Sequence, residues 1–193
     1  GGGGDFPRNV MASPLSGAEQ GEYFDVLPMA EAVSDYLLGM IKAVKMPRKL
    51  KVCFSNSPAN ETHATFRDLG FAAQADGTFT VYSAGGLGKN PRMGVKIAEH
   101  VEPSDVLYYV KAMVDTFVAY GDYENRGRAR TRYMQDKLGA EGYRAAFLEK
   151  LAQVKAEENL KINTEPETLK KAEDGTEASG KRIIPQKQEG LYA

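Results

Sequence analysis

Lys49 and Lys51 carry the most suggestive spacing in this chain. They sit in Lys49-Leu50-Lys51-Val52-Cys53-Phe54, which alternates with a period of two and so reads as a strand. Leu50, Val52 and Phe54 then share one face, and Lys49, Lys51 and Cys53 share the other. Two ammonium groups on that face stand about 7 Å apart at the backbone. Like charges so close repel, and an anion between them relieves the repulsion. A strand face in plain water tolerates them too.

Three other places could do related chemistry. Arg8 and Asn9 lie in a segment that reads as irregular, where an arginine can clamp a carboxylate or small oxyanion in a forked geometry or simply face water. Arg126, Arg128, Arg130 and Arg132 fall on an expected basic helix from about Asn125 to Leu138. Their i, i+4 pairs, Arg126 with Arg130 and Arg128 with Arg132, would point in two directions, so one pair could face a cofactor while the other stays solvated. Gly85-Gly86-Leu87-Gly88 follows an expected strand and could let backbone approach a flat cofactor or a phosphate. It lacks the dinucleotide fingerprint, and no Walker pattern occurs.

Other chemistries are disfavoured. His63, His100 and the single cysteine, Cys53, do not make a convincing zinc site, and Cys53 reads as buried or inert. One cysteine excludes a disulfide framework within the chain and makes the cytoplasm the default compartment. A formal net charge of −1 argues against a general grip on nucleic acid or anionic lipid, so anion binding must come from a local basic cluster. No apolar run approaches the ~20 residues of a membrane span, and no signal-like stretch is expected. The chain opens on four glycines without methionine and stops at Gly190-Leu191-Tyr192-Ala193 in what reads as a strand. The expectation is a piece of a longer polypeptide.

The elements that must position these residues follow from periodicity. Residues 1 to 22 read as irregular. A helix starts near Pro28, with Leu37, Met40, Ile41 and Val44 as its buried stripe, and Pro47 closes it. Strands are expected around Gly70–Gln74 and Thr78–Ala84, joined by an Asp76-Gly77 turn. An amphipathic helix runs from about Pro103 to Tyr120, with Val106, Tyr109, Val110, Met113, Val114, Phe117 and Val118 on its apolar face and Gly121 as its stop. After Gly139 another covers roughly Ala140 to Glu158, with Tyr143, Phe147, Leu151 and Val154 on one side. Residues 159–181 are charged and nearly free of apolar side chains, which suggests a linker.

Taken in order, several segments resemble the nitrite/sulfite reductase hemoprotein family, which uses siroheme coupled to a 4Fe-4S cluster. They are Gly3-Gly4-Asp5 with Arg8-Asn9-Val10, Pro47-Arg48-Lys49-Leu50-Lys51, and His63 to Phe71 with its Asp68-Leu69-Gly70-Phe71. Gly85 to Gly88, the Val101-to-Gly121 helix, Arg126 to Tyr133, and Ile184 to Leu191 complete the set. The resemblance implies an α+β fold, a mixed sheet flanked by helices. It implies a first siroheme-type domain over 1–158, a charged linker over 159–181, and the truncated start of a second ferredoxin-like half-domain over 182–193.

It also implies roles. Arg8, Lys49 and Lys51 would be the catalytic cations around the anion, and Arg48 and Arg130 would contact the carboxylates of siroheme. Asn9, Gly85 and Gly86 would join them in binding the cofactor. The reaction would be six-electron reduction of sulfite to sulfide, because Lys51 stands where plant-type nitrite reductases tend to have asparagine and two lysines suit a dianion. Nitrite to ammonia is the alternative, with ferredoxin or another low-potential donor in either case. A reading of another class is a non-catalytic tetrapyrrole- or anion-binding half-module. Two departures stand out: Ser83-Ala84 precede Gly85 where the family often has a third glycine, and Tyr123 replaces a common arginine. The cluster cysteines of the family are absent from this chain, so the rest of the same polypeptide must supply them, and the chain alone is expected to be inactive.

Overall fold

The computed structural model describes residues 4–164, 183–189 and 191–192. Five strands form one sheet in the order β1-β2-β3-β4-β5. They are β1 (Pro7–Met11), β2 (Leu50–Ser55), β3 (Leu69–Ala73), β4 (Phe79–Ser83) and β5 (Val95–Val101). β1, β2 and β3 run parallel, and β4 and β5 are antiparallel to their neighbours. The sheet is therefore mixed, as expected. A parallel pair needs a crossover, and β1 reaches β2 through helix α1 (Leu27–Met40). β3 and β4 are joined by the expected Asp76-Gly77 turn, in which Asp76 Oδ1 accepts from the Thr78 N–H at 3.1 Å.

Leu50, Val52 and Phe54 alternate into the core as their pattern requires, and Cys53 is buried on the opposite face. Phe54 stacks on Phe71 at 4.7 Å between ring centroids, and Phe79 meets both edge-on at 5.7 Å. These rings join Met29, Val33 and Leu37 of α1 in one continuous core. Helices α2 (Val106–Tyr120) and α3 (Met134–Glu157) add Val110, Met113, Phe117, Tyr143 and Phe147 to it. The other face of β2 and β3 is covered by the connection between them. Gly70, opposite Cys53 in register, sits so close to the Ala64 backbone that a Cβ would come within 2.6 Å of the Ala64 carbonyl carbon.

Four expectations are corrected. The segment before residue 22 contains β1, because Pro7–Met11 finds a parallel partner in β2 that local sequence cannot reveal. β5 was not anticipated; it is an edge strand whose burial is irregular and whose register slips against β4, so it shows no clean alternation. α1 buries Met29, Ala30, Val33 and Leu37 and ends at Met40, so Ile41 and Val44 lie beyond it. No helix spans 125–138: Arg126–Arg128 and Thr131–Tyr133 are short 3₁₀ turns, and α3 starts at Met134. Gly139, at φ 71° and ψ 167°, interrupts α3. From there on, the expected face of Tyr143, Phe147, Leu151 and Val154 is buried.

The charged stretch expected as a linker begins at Asn159, and its first residues are docked. Ile162 N–H donates to Ser104 O at 3.1 Å, and Lys161 pairs with Asp105 at 2.5 Å. Residues 165–182 lie outside the described residues, as do Gly1 to Gly3, Gly190 and Ala193. Near the C-terminus, Pro185 and Tyr192 form a bridge, and Lys187 pairs with the buried Glu22 at 2.6 Å.

Candidate functional site

The parallel edge of the sheet gathers the basic residues. Pairing of Val52 with Leu69 puts Lys51 beside Asp68, and the Lys51 N–H donates to Asp68 Oδ2 at 3.0 Å. On the other side, Pro7 pairs with Leu50 and Val10 with Val52. Two residues of β1, Arg8 and Asn9, thus stand opposite one residue of β2, Lys51. Such a bulge re-aims side chains and is frequent beside active sites. Arg8, Asn9, Lys51 and Asp68 therefore share one level across three neighbouring strands.

Asp68 is the hub of this level. It is 3% exposed, and a carboxylate that deep needs paired charge and donors. Arg130 supplies both, with Nη2 at 3.1 and 3.0 Å from the two carboxylate oxygens. The Thr131 hydroxyl donates to Oδ1. The Asp68 carbonyl accepts from the Ala84 N–H at 2.9 Å and the Ser83 hydroxyl at 3.2 Å. Gln135 then fastens the start of α3 to the same corner by donating to Ala84 O at 2.8 Å and Met93 O at 2.9 Å.

Beside Asp68 lies a cavity of about 160 Å³, lined by Lys51, Phe66, Arg67, Asp68, Gly85, Gly86, Leu87 and Arg130. Three cations against one carboxylate make its lining formally positive by two, which suits an anion. Two buried arginine nitrogens nearby, Nε of Arg130 and Nε of Arg132, have no hydrogen-bond partner. Arg132 is 8% exposed, lies 4.8 Å from the centre of the Tyr133 ring, and presses against Gly86. Buried donors left open in this way fit an acceptor-rich ligand.

Of the residues singled out from sequence, Lys51, Gly85, Gly86 and Arg130 line this cavity together. Lys49 is half-buried just before β2 and does not line it; Asn9 is exposed. Arg48 and Arg126 converge instead on Asp5, at 3.4 and 2.8 Å. The four arginines of residues 126–132 do not form i, i+4 pairs. Arg128 pairs with Asp136 at 3.0 Å, and each of the others has its own surroundings, because 3₁₀ turns replace the helix. The absence of a side chain at Gly85 is explained by packing: a Cβ there would meet the Phe66 Cα at 2.6 Å and the Gly94 N at 2.9 Å. Asp68, Arg67 and Thr131 were not singled out as site residues, and Arg132 was considered only as part of the arginine run. Asp68 and Arg130 are 62 positions apart, and no spacing signals such a pair.

Cys53, His63 and His100 do not line this cavity. Cys53 is buried, and that burial pushes its thiol up to about 12. His63 adopts a left-handed backbone and stacks on Phe66 at 5.0 Å; His100 pairs with Asp76 at 2.8 Å. Among the described residues, no group of three or more His, Cys, Asp or Glu side chains could hold a metal ion, and no helix is long and apolar enough to cross a membrane. A more open cleft of about 480 Å³ lies between Tyr120–Glu124 and Arg128–Lys137, with Arg130 at its border.

The site is thus a small, formally positive cavity beside Asp68 in a mixed sheet flanked by helices. The model of the family "Nitrite and sulphite reductase 4Fe-4S domain" matches residues 3–155, and the chain belongs to that family of siroheme-associated oxidoreductases. It is 30% identical over 177 residues to the NADPH sulfite reductase hemoprotein beta-component of Thiocapsa roseopersicina, a match covering 75% of this chain and 31% of that protein. It is 28% identical over 195 residues to the chloroplastic ferredoxin–nitrite reductase of Betula pendula, covering 97% and 32%. The NirA protein of Mycobacterium tuberculosis shares the fold, with a TM-score of 0.71 at 24% identity over 95% of this chain and 32% of that one. The chain spans about a third of the length of the relatives it matches.

Proposed function

We propose that this chain supplies the anion site and part of the siroheme cradle of an assimilatory-type sulfite reductase, which takes sulfite to sulfide with six electrons. The observation that carries the reading is the convergence of Lys51, Arg67 and Arg130 on one small cavity with Asp68 as its lone acidic residue. The donor set fits siroheme, whose many carboxylates suit the open Nε atoms of Arg130 and Arg132. Arg48, Arg130, Asn9, Gly85 and Gly86 would hold that cofactor, and Arg8, Lys49 and Lys51 would hold the anion; Arg130, which lines the cavity beside Lys51, would face both. When bound, siroheme and a 4Fe-4S cluster provide the redox chemistry that no side chain can store. The chain's own cations bind the anion, stabilise its charge and deliver protons as its oxygens leave as water.

Cys53 is alone and buried, so the cluster's thiolates belong to the rest of the same polypeptide. In this reading residues 1–158 form the first siroheme-type domain, 159–181 a linker, and 182–193 the start of a second half-domain. A low-potential donor such as ferredoxin supplies electrons singly, in the cytoplasm. Nitrite is the second candidate substrate, favoured by the extent of the match to the ferredoxin–nitrite reductase, which runs over 97% of this chain.

The test is to express the full product of the gene in cells that make siroheme, and to measure bound siroheme by its absorption. Turnover of sulfite and nitrite is then compared with a reduced dye as donor. Siroheme with faster sulfite turnover supports the reading, and faster nitrite turnover selects the second substrate. A folded protein that retains no siroheme is instead a non-catalytic anion- or tetrapyrrole-binding module.

A further inference from the structure

Asp68 does something that the cavity's charge balance does not ask for. A site for a small anion would bind it more tightly without a carboxylate in its wall, yet one is buried there. Its four bonds explain why it is tolerated. One goes to the backbone N–H of Lys51 on β2, two to the guanidinium of Arg130, and one to the hydroxyl of Thr131, which is fully buried. The groups it holds come from two separate stretches, 17 positions before it and 62 to 63 after it. Among the described residues, the hydrogen bonds of the Arg130 guanidinium go to Asp68, and its Nε has no partner.

We infer that Asp68 is the positioning residue of the anion site, registering Lys51 and restraining Arg130 so that both cations meet the anion from fixed directions. It acts through those cations and does not itself touch the anion, which its charge would repel. This rests on the proposed reading of the site as an oxyanion site. An unrestrained Arg130 could swing out of the cavity, so the anion would lose a cation held in place for it; binding weakens first, and the alignment that fast chemistry needs suffers with it.

The experiment uses the full product of the gene, expressed in siroheme-making cells, with two readouts. The first is hydrogen exchange at the Lys51 amide in Asp68→Ala, which needs no cofactor. Loss of the charged acceptor is expected to speed that exchange by about tenfold or more, while Val52 to Phe54 stay protected by the sheet. The second is steady-state kinetics with sulfite in Asp68→Asn, which keeps shape and removes charge. There KM is expected to rise by about tenfold at unchanged siroheme content, with kcat falling less. Val154→Ala, a buried change in α3, should lower stability without moving KM. Should Asp68→Asn not accumulate as folded protein, Thr131→Val, which removes one donor and no charge, is read in its place, with a KM rise of about threefold.

Unchanged Lys51 exchange overturns the inference. So does an unchanged KM in a siroheme-loaded variant. Fast Lys51 exchange in Asp68→Ala, with a wild type that binds no siroheme, leaves Asp68 as the positioning residue and sinks the reductase reading instead.

Discussion

Gly85 and Gly86 are adjacent and both line the cavity, yet the structure gives them opposite tolerance for a methyl group. A Cβ at Gly85 would lie 2.6 Å from Phe66 Cα, 2.7 Å from Phe66 C and 2.9 Å from Gly94 N. All three are backbone atoms on packed segments, so no rotamer change relieves the overlap. Overpacking of that kind costs about 1–3 kcal/mol, and contact with main chain on two sides places Gly85→Ala at the upper end, about 3 kcal/mol. A Cβ at Gly86 would meet only the end of Arg132, at 3.2 Å from Nη1 and 3.4 Å from Cδ, and that side chain can shift. Gly86→Ala should cost about 1 kcal/mol or less. The assay is urea unfolding followed by circular dichroism, with thermal melts alongside; at about 2–4 °C per kcal/mol for a chain of this size, the two variants should melt about 4–8 °C apart. Equal midpoints, or a lower midpoint for Gly86→Ala, would refute the argument that Gly85 is set by its packing on Phe66 and Gly94.

Tyr143→Phe removes a fully buried hydroxyl that bonds Ser83 Oγ at 2.7 Å and lies 3.3 Å from Met113 Sδ; a loss of about 1–2 kcal/mol is expected, read from the urea midpoint. Cys53 should resist iodoacetamide at pH 8 in the folded protein, because burial pushes its thiol up to about 12; labelling as fast as a free thiol would contradict that burial. Burial alone would raise the Asp105 carboxyl, but Lys161 and Lys155 more than reverse it, so the group is held below the usual carboxylate range. A folded pKa below the unfolded one adds stability above the unfolded value and loses it as pH falls through the folded one. Acid titration of the urea midpoint below about pH 4 should therefore show a decline that is shallower in Asp105→Asn, and identical slopes would remove Asp105 from the account.

Elements whose burial is governed by short-range alternation could be read directly. Leu50-Lys51-Val52-Cys53-Phe54 announces β2, and Val106 to Phe117 announces α2, because apolar residues recur there at the strand and helix periods, although the fold buries both faces of β2 and most of α2. β1 carried no such signal: its bulge breaks the alternation, and its strand identity depends on a partner more than forty residues away. β5 was hidden for the related reason that an edge strand exposes much of both faces. The arginine run misled because charge spacing says where cations occur and nothing about whether 3₁₀ turns or a helix will aim them.

The same division runs through the site. Residue types alone left an anion as one reading of Lys49, Lys51 and the arginines beside plain solvation, while the single cysteine excluded an all-cysteine metal site within the chain. Which cations act together was decided only when the chain folded. Parallel pairing of β2 with β3 brought Lys51 to Asp68, and the turn before α3 brought Arg130 to the same carboxylate, while Arg48 and Arg126 were drawn away to Asp5. A buried acid must find its cations wherever the fold can deliver them, and that choice belongs to three-dimensional packing rather than to any local pattern.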